Sequence, residues 1–339
     1  MFSVLTISLL FYHHITGIKA IKYMLFLLVV GFCGLRYYVG TDFPAYVEYF
    51  KSIDAGLVKF QGKEIGYTYL NYVVKYWLGL NFQSVFLLSS LLTFAFLSSA
   101  LTQTRSVYIY TFGFFLYVFS GFYTQSFNIV RQSLSMAICL YALKYINYRE
   151  AYKYYSFLLF ALLFHTTAIV FFPLYFIYNL KLNRKVLMLS LVAAFLFGNV
   201  VLQIITFLLE FFQMRYVEFL SPGEDDLTSG SGLMQYITYF LCLFSIFHLD
   251  KIEKKYLIYF KVFYLYVFFN LVFFDFMLGI RAVQGYKLSM IIFIPYMFTL
   301  FKGHSRYLII LLCAIYYFGF LKFIMGSSNI IPYDYSFYL

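Results

Sequence analysis

Apolar runs separated by short basic loops leave this chain few ways to fold. The runs fall at about 1–12, 20–35, 84–101, 107–123, 128–146, 154–164, 167–180, 186–209, 233–249, 256–278, 282–301 and 307–324. A straight bilayer crossing takes ~20 residues, with a range of about 17 to 25. Several runs are shorter, and those must thin the bilayer or sit inside the bundle. The 339 residues are 63% hydrophobic and 12% charged, where a soluble chain is nearer half apolar and a quarter charged. No soluble core of this size hides so much Phe, Tyr, Leu and Ile. The expected fold is all-α: a polytopic transmembrane helical bundle of about 11–12 spanning helices. No linker or internal repeat stands out, so a single integral membrane domain is expected over residues 1–339.

The net charge of +11 does not require a nucleic-acid partner, because Lys and Arg collect in short loops as the positive-inside rule demands. Cys33, Cys139, Cys242 and Cys313 each sit alone inside an apolar run, without metal spacing or a disulfide framework. The first run lacks a basic start and a small-residue cleavage site, so it reads as a retained helix. The 37 tyrosines suit an interface or a wet interior, and a bias of composition explains them equally well.

Basic groups set the orientation. Lys19 and Lys22, Arg105, Lys144–Arg149–Lys153, Lys181–Arg184–Lys185, Lys251–Lys254–Lys255 and Lys302–His304–Arg306 are the candidate cytoplasmic loops. Successive groups must be joined by an even number of crossings. The stretch 154–180 therefore cannot be one helix; it reads as a hairpin with His165 at its outer tip. The same parity puts Arg36 and its loop outside, and with it Asn128 and Arg131, the acidic Gly/Ser-rich loop 210–232, Arg281, and a tail containing Pro332, Tyr333 and Asp334. Residues 37–82 read as an outer-face loop with interfacial helices. Within it, Glu64 to Leu80 is amphipathic and disturbs the parity unless it is interfacial or re-entrant.

Charged side chains in a spanning helix cost ~2.5 to 3.5 kcal/mol at its centre, so those near helix ends in such a chain are functional candidates. Arg36, Asp42, Glu48, Glu64, Arg131, His165, Asp275 and Arg281 fall at or near the inferred outer face. Each has a plainer reading as an interfacial or ion-paired residue. Three arginines outside run against the positive-inside bias. Arginine suits diphosphate, because its planar fork stays charged and donates paired hydrogen bonds to phosphate oxygens. In NIVRQSLSMAI, Arg131 falls in the first turn of a helix with the donors Asn128 and Gln132 beside it. Gly40-Thr41-Asp42 reads as a turn into a helix that carries Pro44 early. Asp42 is then an N-cap, a general base, or both. His165 interrupts the apolar run LLFHTTAIV as a core histidine, a base, or a donor to a sugar or phosphate. No HxxxH, HExxH or DxD spacing supports a metal, and neither a Walker A sequence nor a GxSxG elbow occurs.

The ordered set GLRYYVGTDFPAYVEYF, then Glu64-Ile65-Gly66-Tyr67, SFNIVRQSLSMAICLYALKYI, ALLFHTTAIVFFPLYFI, LGIRAVQGYKL and a closing IPYDY resembles the EpsG/Wzy-type family of bacterial polysaccharide polymerases. The likeness covers most of the chain. It implies an inner-membrane glycosyltransferase akin to the GT-C class. Such an enzyme joins polyprenyl-diphosphate-linked oligosaccharide repeat units at the outer face, without metal or cofactor. Carried over by position, Arg36, Asp42, Arg131, His165 and Arg281 would be the site residues, with Asp42 and His165 catalytic and the arginines binding substrate; Glu64 and Gln132 join the arginines as expected diphosphate- or substrate-binding residues. Implied partners are the lipid-linked oligosaccharide, the bilayer, and a chain-length regulator and flippase of the same pathway. Two rivals stand beside this reading. An O-antigen ligase would carry a large basic external loop, whereas 210–232 is short and acidic. A flippase for lipid-linked sugar would show repeated halves and mid-membrane charges, and neither is evident.

Overall fold

A computed structural model describes residues 2–54, 64–211, 232–274 and 276–301. Helices α1 (Phe2–Thr16) and α2 (Lys19–Gly34) lead to a short α3 (Phe43–Ser52) and α4 (Ile65–Tyr72), which continues as a π-helical turn over Val73–Trp77. Then come α5 (Phe82–Thr102), α6 (Val107–Phe119), α7 (Phe122–Gln125), α8 (Val130–Asn147) and α9 (Ala151–Phe164). A 3-10 turn (Thr166–Phe171) and α10 (Leu174–Ile177) precede α11 (Arg184–Phe211), α12 (Gly232–Phe247), α13 (Lys254–Val272), α14 (Met277–Lys287) and α15 (Met290–Thr299). No strand occurs among the described residues. The expected 210–232 loop (beyond the helix-end residues 210, 211 and 232), Asp275, the run 307–324 and the tail lie outside them.

The all-α expectation holds, and the count of spans does not transfer directly. Three described helices are long and apolar enough to cross a membrane: α5, residues 184–204 of α11, and α13. Six more are apolar and shorter. The difference lies in where polar residues stop a helix. The run at 107–123 stops at Phe119, before Ser120 and Gly121. The run after His165 breaks into a 3-10 turn and one four-residue helix around Pro173.

The chain forms two compact units. The first holds the described residues as far as Ile169 and those from Phe298 on; the second is Val170–Met297. In the first, α5 packs on both α2 and α8, and α8 on α9. Buried Ser84, Ser89, Ser90 and Thr93 on α5 are small enough to let neighbouring helices approach, the usual device where lipid offers no hydrophobic drive. In the second, α13 packs on α11, α12 and α14. Gln235, Tyr239 and Asn270 form a hydrogen-bonded trio joining α12 to α13.

Two lysines perform the same task in the two units. Lys261, buried in α13, donates to the carbonyls of Ile177, Tyr178 and Leu180 at 3.1, 2.8 and 2.7 Å. Lys75, in the π turn, donates to those of Phe50, Lys51 and Ile53 at 3.2, 2.9 and 2.6 Å. Each satisfies carbonyls that a helix end leaves without intrahelical donors. Lys75 thereby ties α3 to the α4 segment. That segment, Ile65–Trp77, is 13 residues of helix over α4 and the π turn, about 20 Å long against a hydrocarbon core of about 30 Å.

Candidate functional site

The first turn of α8 carries Arg131, and the residue before α4 is Glu64. Glu64 occupies the N-cap position, yet its side chain makes no cap bond. It reaches across to Arg131 instead and forms an ion pair and hydrogen bond with it. Gly66 lays the start of α4 on the end of α9, which itself packs along α8. A Cβ there would come within 2.8 Å of Leu163 Cβ and 2.9 Å of the Leu163 carbonyl. Only glycine lets the first turn of α4 lie on the last turn of α9. That contact sets Glu64 opposite His165, the residue that ends α9.

His165 is extended (φ −158, ψ 137), so its ring leaves the helix. The Thr167 amide donates to Nδ1 at 3.2 Å, and Thr167 Oγ1 lies 2.9 Å from the same nitrogen. Nδ1 is thus an acceptor, and in the neutral ring the proton sits on Nε2. Nε2 faces Glu64 Oε1 at 3.6 Å. Burial, and then the Arg131 charge, pull the His165 pKa down from 6.5 to about 4. The Glu64 carboxylate would act the other way, but Arg131 already balances it. His165 is therefore a neutral donor at pH 7.

Aromatic rings complete the cradle. The Arg131 guanidinium lies 5.6 Å from the Tyr46 ring centre and 5.7 Å from that of Tyr67. The Tyr46 hydroxyl accepts from the Val130 amide at 3.1 Å, holding α3 to the start of α8. Burial raises the Tyr46 phenol above its ordinary value; the Arg131 charge opposes the rise and the Asp42 carboxylate adds to it. The Arg131 side chain is 38% exposed, His165 22% and Glu64 9%. The site is thus a half-open cation backed by a nearly buried carboxylate and a donor ring.

The other residues expected from sequence are placed differently. Arg36 is fully buried and donates to the carbonyls of Cys33 (2.5 Å) and Phe127 (2.9 Å). Its guanidinium lies 4.4 Å from the Phe86 ring centre. Main-chain oxygens and ring faces occupy its guanidinium, so it is buried here, where the expectation from sequence is a group open to an anion. Asp42 does take the N-cap position of α3, but its side chain makes no cap bond; it is exposed and accepts from Thr41 Oγ1 at 3.2 Å. Gln132 is buried in α8, and Glu48 is exposed on α3. Arg281 is exposed on α14 in the second unit. Sequence reasoning gave no role to Tyr46 or Thr167, and Gly66 and Tyr67 entered only as part of a family motif. Only the Gly66 signal, a lone glycine in the first turn of an otherwise bulky helix, was there to be read.

The fold and this site define a helical, apolar-rich chain that fits a membrane protein, with a half-open arginine set against a carboxylate. The chain belongs to the EpsG family, whose profile matches residues 19–335. This is an EpsG/Wzy-type polysaccharide polymerase family. No curated protein and no solved structure matches the chain.

Proposed function

We propose that this protein is a glycosyltransferase of the bacterial plasma membrane that polymerises polyprenyl-diphosphate-linked oligosaccharide repeat units at the outer face. The observation that carries the reading is the convergence of Arg131, Glu64 and His165 at one half-open site in a chain of this family. In the reaction, an acceptor sugar hydroxyl oxygen bonds to the anomeric carbon of the growing chain. The bond from that carbon to the diphosphate oxygen breaks, and its electron pair leaves with the diphosphate. The hydroxyl proton passes to a carboxylate.

Arg131 is suited to the diphosphate, since it offers a fixed charge where negative charge develops. Binding of the diphosphate would displace Glu64 from Arg131. A carboxylate relieved of its cation becomes more basic, and Glu64 then takes the proton from the acceptor hydroxyl. His165, donating from Nε2, orients that carboxylate or the hydroxyl. This moves the role of base from Asp42 and His165, the expectation from sequence, to Glu64. The donor chemistry asks for no metal.

The test incubates purified protein with lipid-linked repeat unit and resolves the products by length. A ladder of longer glycans is expected, and Arg131→Lys should abolish it. Absence of a ladder with facilitated crossing of lipid-linked sugar in vesicles would replace this reading with a flippase.

A further inference from the structure

The loop 37–42 leads into α3, whose Tyr46 ring lies beside Arg131, and it combines three features that packing alone does not explain. Tyr38 has φ +51, the left-handed region that costs a bulky residue roughly 1–2 kcal/mol. The same side chain is 64% exposed, so burial does not offset that cost. The ring is nevertheless fixed. It meets Tyr37 edge-on at 4.8 Å and Phe43 at 5.2 Å, and Phe43 is fully buried and stacked on Phe86 at 5.0 Å.

The loop itself is anchored at both ends. Before it, Arg36 is held through its guanidinium, and its carbonyl accepts from Gln83 Nε2 at 3.0 Å. Within it, Gly40 (φ +100) lies directly against the Asn128 side chain. After it, the Tyr46 amide donates to the Asp42 carbonyl at 3.1 Å. Thr41 and Asp42 are exposed, and the Asp42 carboxylate, not engaged in capping, accepts one bond from Thr41. Asp42 lies one helical turn before Tyr46, the ring beside Arg131.

An open aromatic ring packed on Phe43, in the same short loop as an exposed carboxylate, matches the chemistry of a sugar. The axial C–H bonds of a pyranose carry partial positive charge and lie on the negative face of an aromatic ring. Its hydroxyls donate to a carboxylate in charge-assisted bonds. We propose that Tyr38, Thr41 and Asp42 form a saccharide subsite that takes one pyranose ring of the acceptor glycan next to the Arg131–Glu64 pair. The subsite rests on the glycan-transfer reading and deepens it by naming where the acceptor is held.

The test separates binding from transfer. Lipid-free oligosaccharides, released by partial acid hydrolysis from the source organism's own surface polysaccharide, are titrated into the full-length protein in nanodiscs. Binding is followed by saturation-transfer NMR. Tyr38→Gly relieves the left-handed strain, so it should raise or keep the melting temperature while weakening glycan binding about 10-fold. Tyr38→Phe should retain binding, and Asp42→Asn should weaken it several-fold. Unchanged glycan binding in Tyr38→Gly would overturn the subsite and leave Tyr38 as an interfacial anchor, whatever the polymerase assay gives. Glycan binding that depends on Tyr38, in a protein that makes no ladder, would support the subsite and remove the polymerase reading alone.

Discussion

Arg36 and Arg131 look alike in the sequence, each a lone guanidinium at the edge of an apolar run, and the fold treats them in opposite ways. Arg36 is fully buried and donates to two main-chain carbonyls from residues 33 and 127. Arg131 keeps over a third of its side chain open and pairs with a carboxylate that an incoming anion can displace. In the interior, carbonyl oxygens can take up a guanidinium's hydrogen bonds, as a carboxylate does, although they do not neutralise its charge. What separates structure from function is whether the partner can let go. Backbone carbonyls cannot leave without unfolding, whereas a carboxylate on a neighbouring helix can turn away.

Arg36→Met should therefore have the largest effect on the protein itself. It leaves the carbonyls of Cys33 and Phe127 without their donor, at ~1–3 kcal/mol for each buried unsatisfied group. Folded yield, read by size-exclusion in detergent, should collapse. Arg131→Lys should elute and melt like the parent, because Glu64 keeps a cation. It should still lose glycan transfer by about 10²-fold or more, because a lysine lacks the planar fork. A well-folded, inactive Arg36→Met would reverse the assignment of the two arginines.

Next in size is Glu64→Gln. It preserves shape and a hydrogen bond to Arg131 but cannot accept a proton. Transfer should fall about 10²–10⁴-fold, with a small change in melting. Asp42→Asn should fall less in turnover and show more in the concentration of acceptor required. If the two exchange places, the base belongs to Asp42.

Gly66 tests the positioning rather than the chemistry. Gly66→Val drives a side chain into Leu163 and shifts Glu64 away from His165 and Arg131. A displacement of about 1 Å costs on the order of 10²-fold in rate. Leu163→Ala should partly rescue it, since the two residues share one contact. A Gly66→Val protein with full activity would show that Glu64 does not depend on the α4–α9 approach.

How far the site was legible follows from the same contrast. Ionisable residues in greasy sequence are conspicuous because lipid makes them costly, so Glu64, Arg131 and His165 could be picked out one by one. The inference that His165 breaks the 154–180 run matches the end of α9 at Phe164. The fate of Arg36 could not be read, because its acceptor at Phe127 is 91 residues away and carbonyls carry no sequence signature. Tyr46 and Tyr67 were hidden among 37 tyrosines. Helix type was plain from hydropathy, but helix ends depend on local turns such as Ser120–Gly121 and on distant donors such as Lys261. Among the described residues, three helices are clearly of membrane-crossing length and six more apolar helices are shorter, as several of the runs were in the sequence.

The smallest expected effect concerns His165 and pH. Its pKa falls from 6.5 to about 4 on folding, through burial and the Arg131 charge. Between these values the unfolded chain binds a proton that the folded chain refuses, so stability rises with pH across this window. Above pH 6.5 both states are neutral at this ring and the contribution is complete. As pH drops towards 4 it is progressively lost. The ring is partly open, so solvent screening keeps the slope shallow. Melting temperature measured from pH 7.5 to 4.5 should fall more steeply in the parent than in His165→Gln, which has nothing to protonate. Activity should show no inflection at 6.5, the value an unperturbed histidine base would impose. A clear inflection there would mean that His165 titrates normally and serves as the base. It would also mean that the site is wetter than Arg131 and Glu64 now make it.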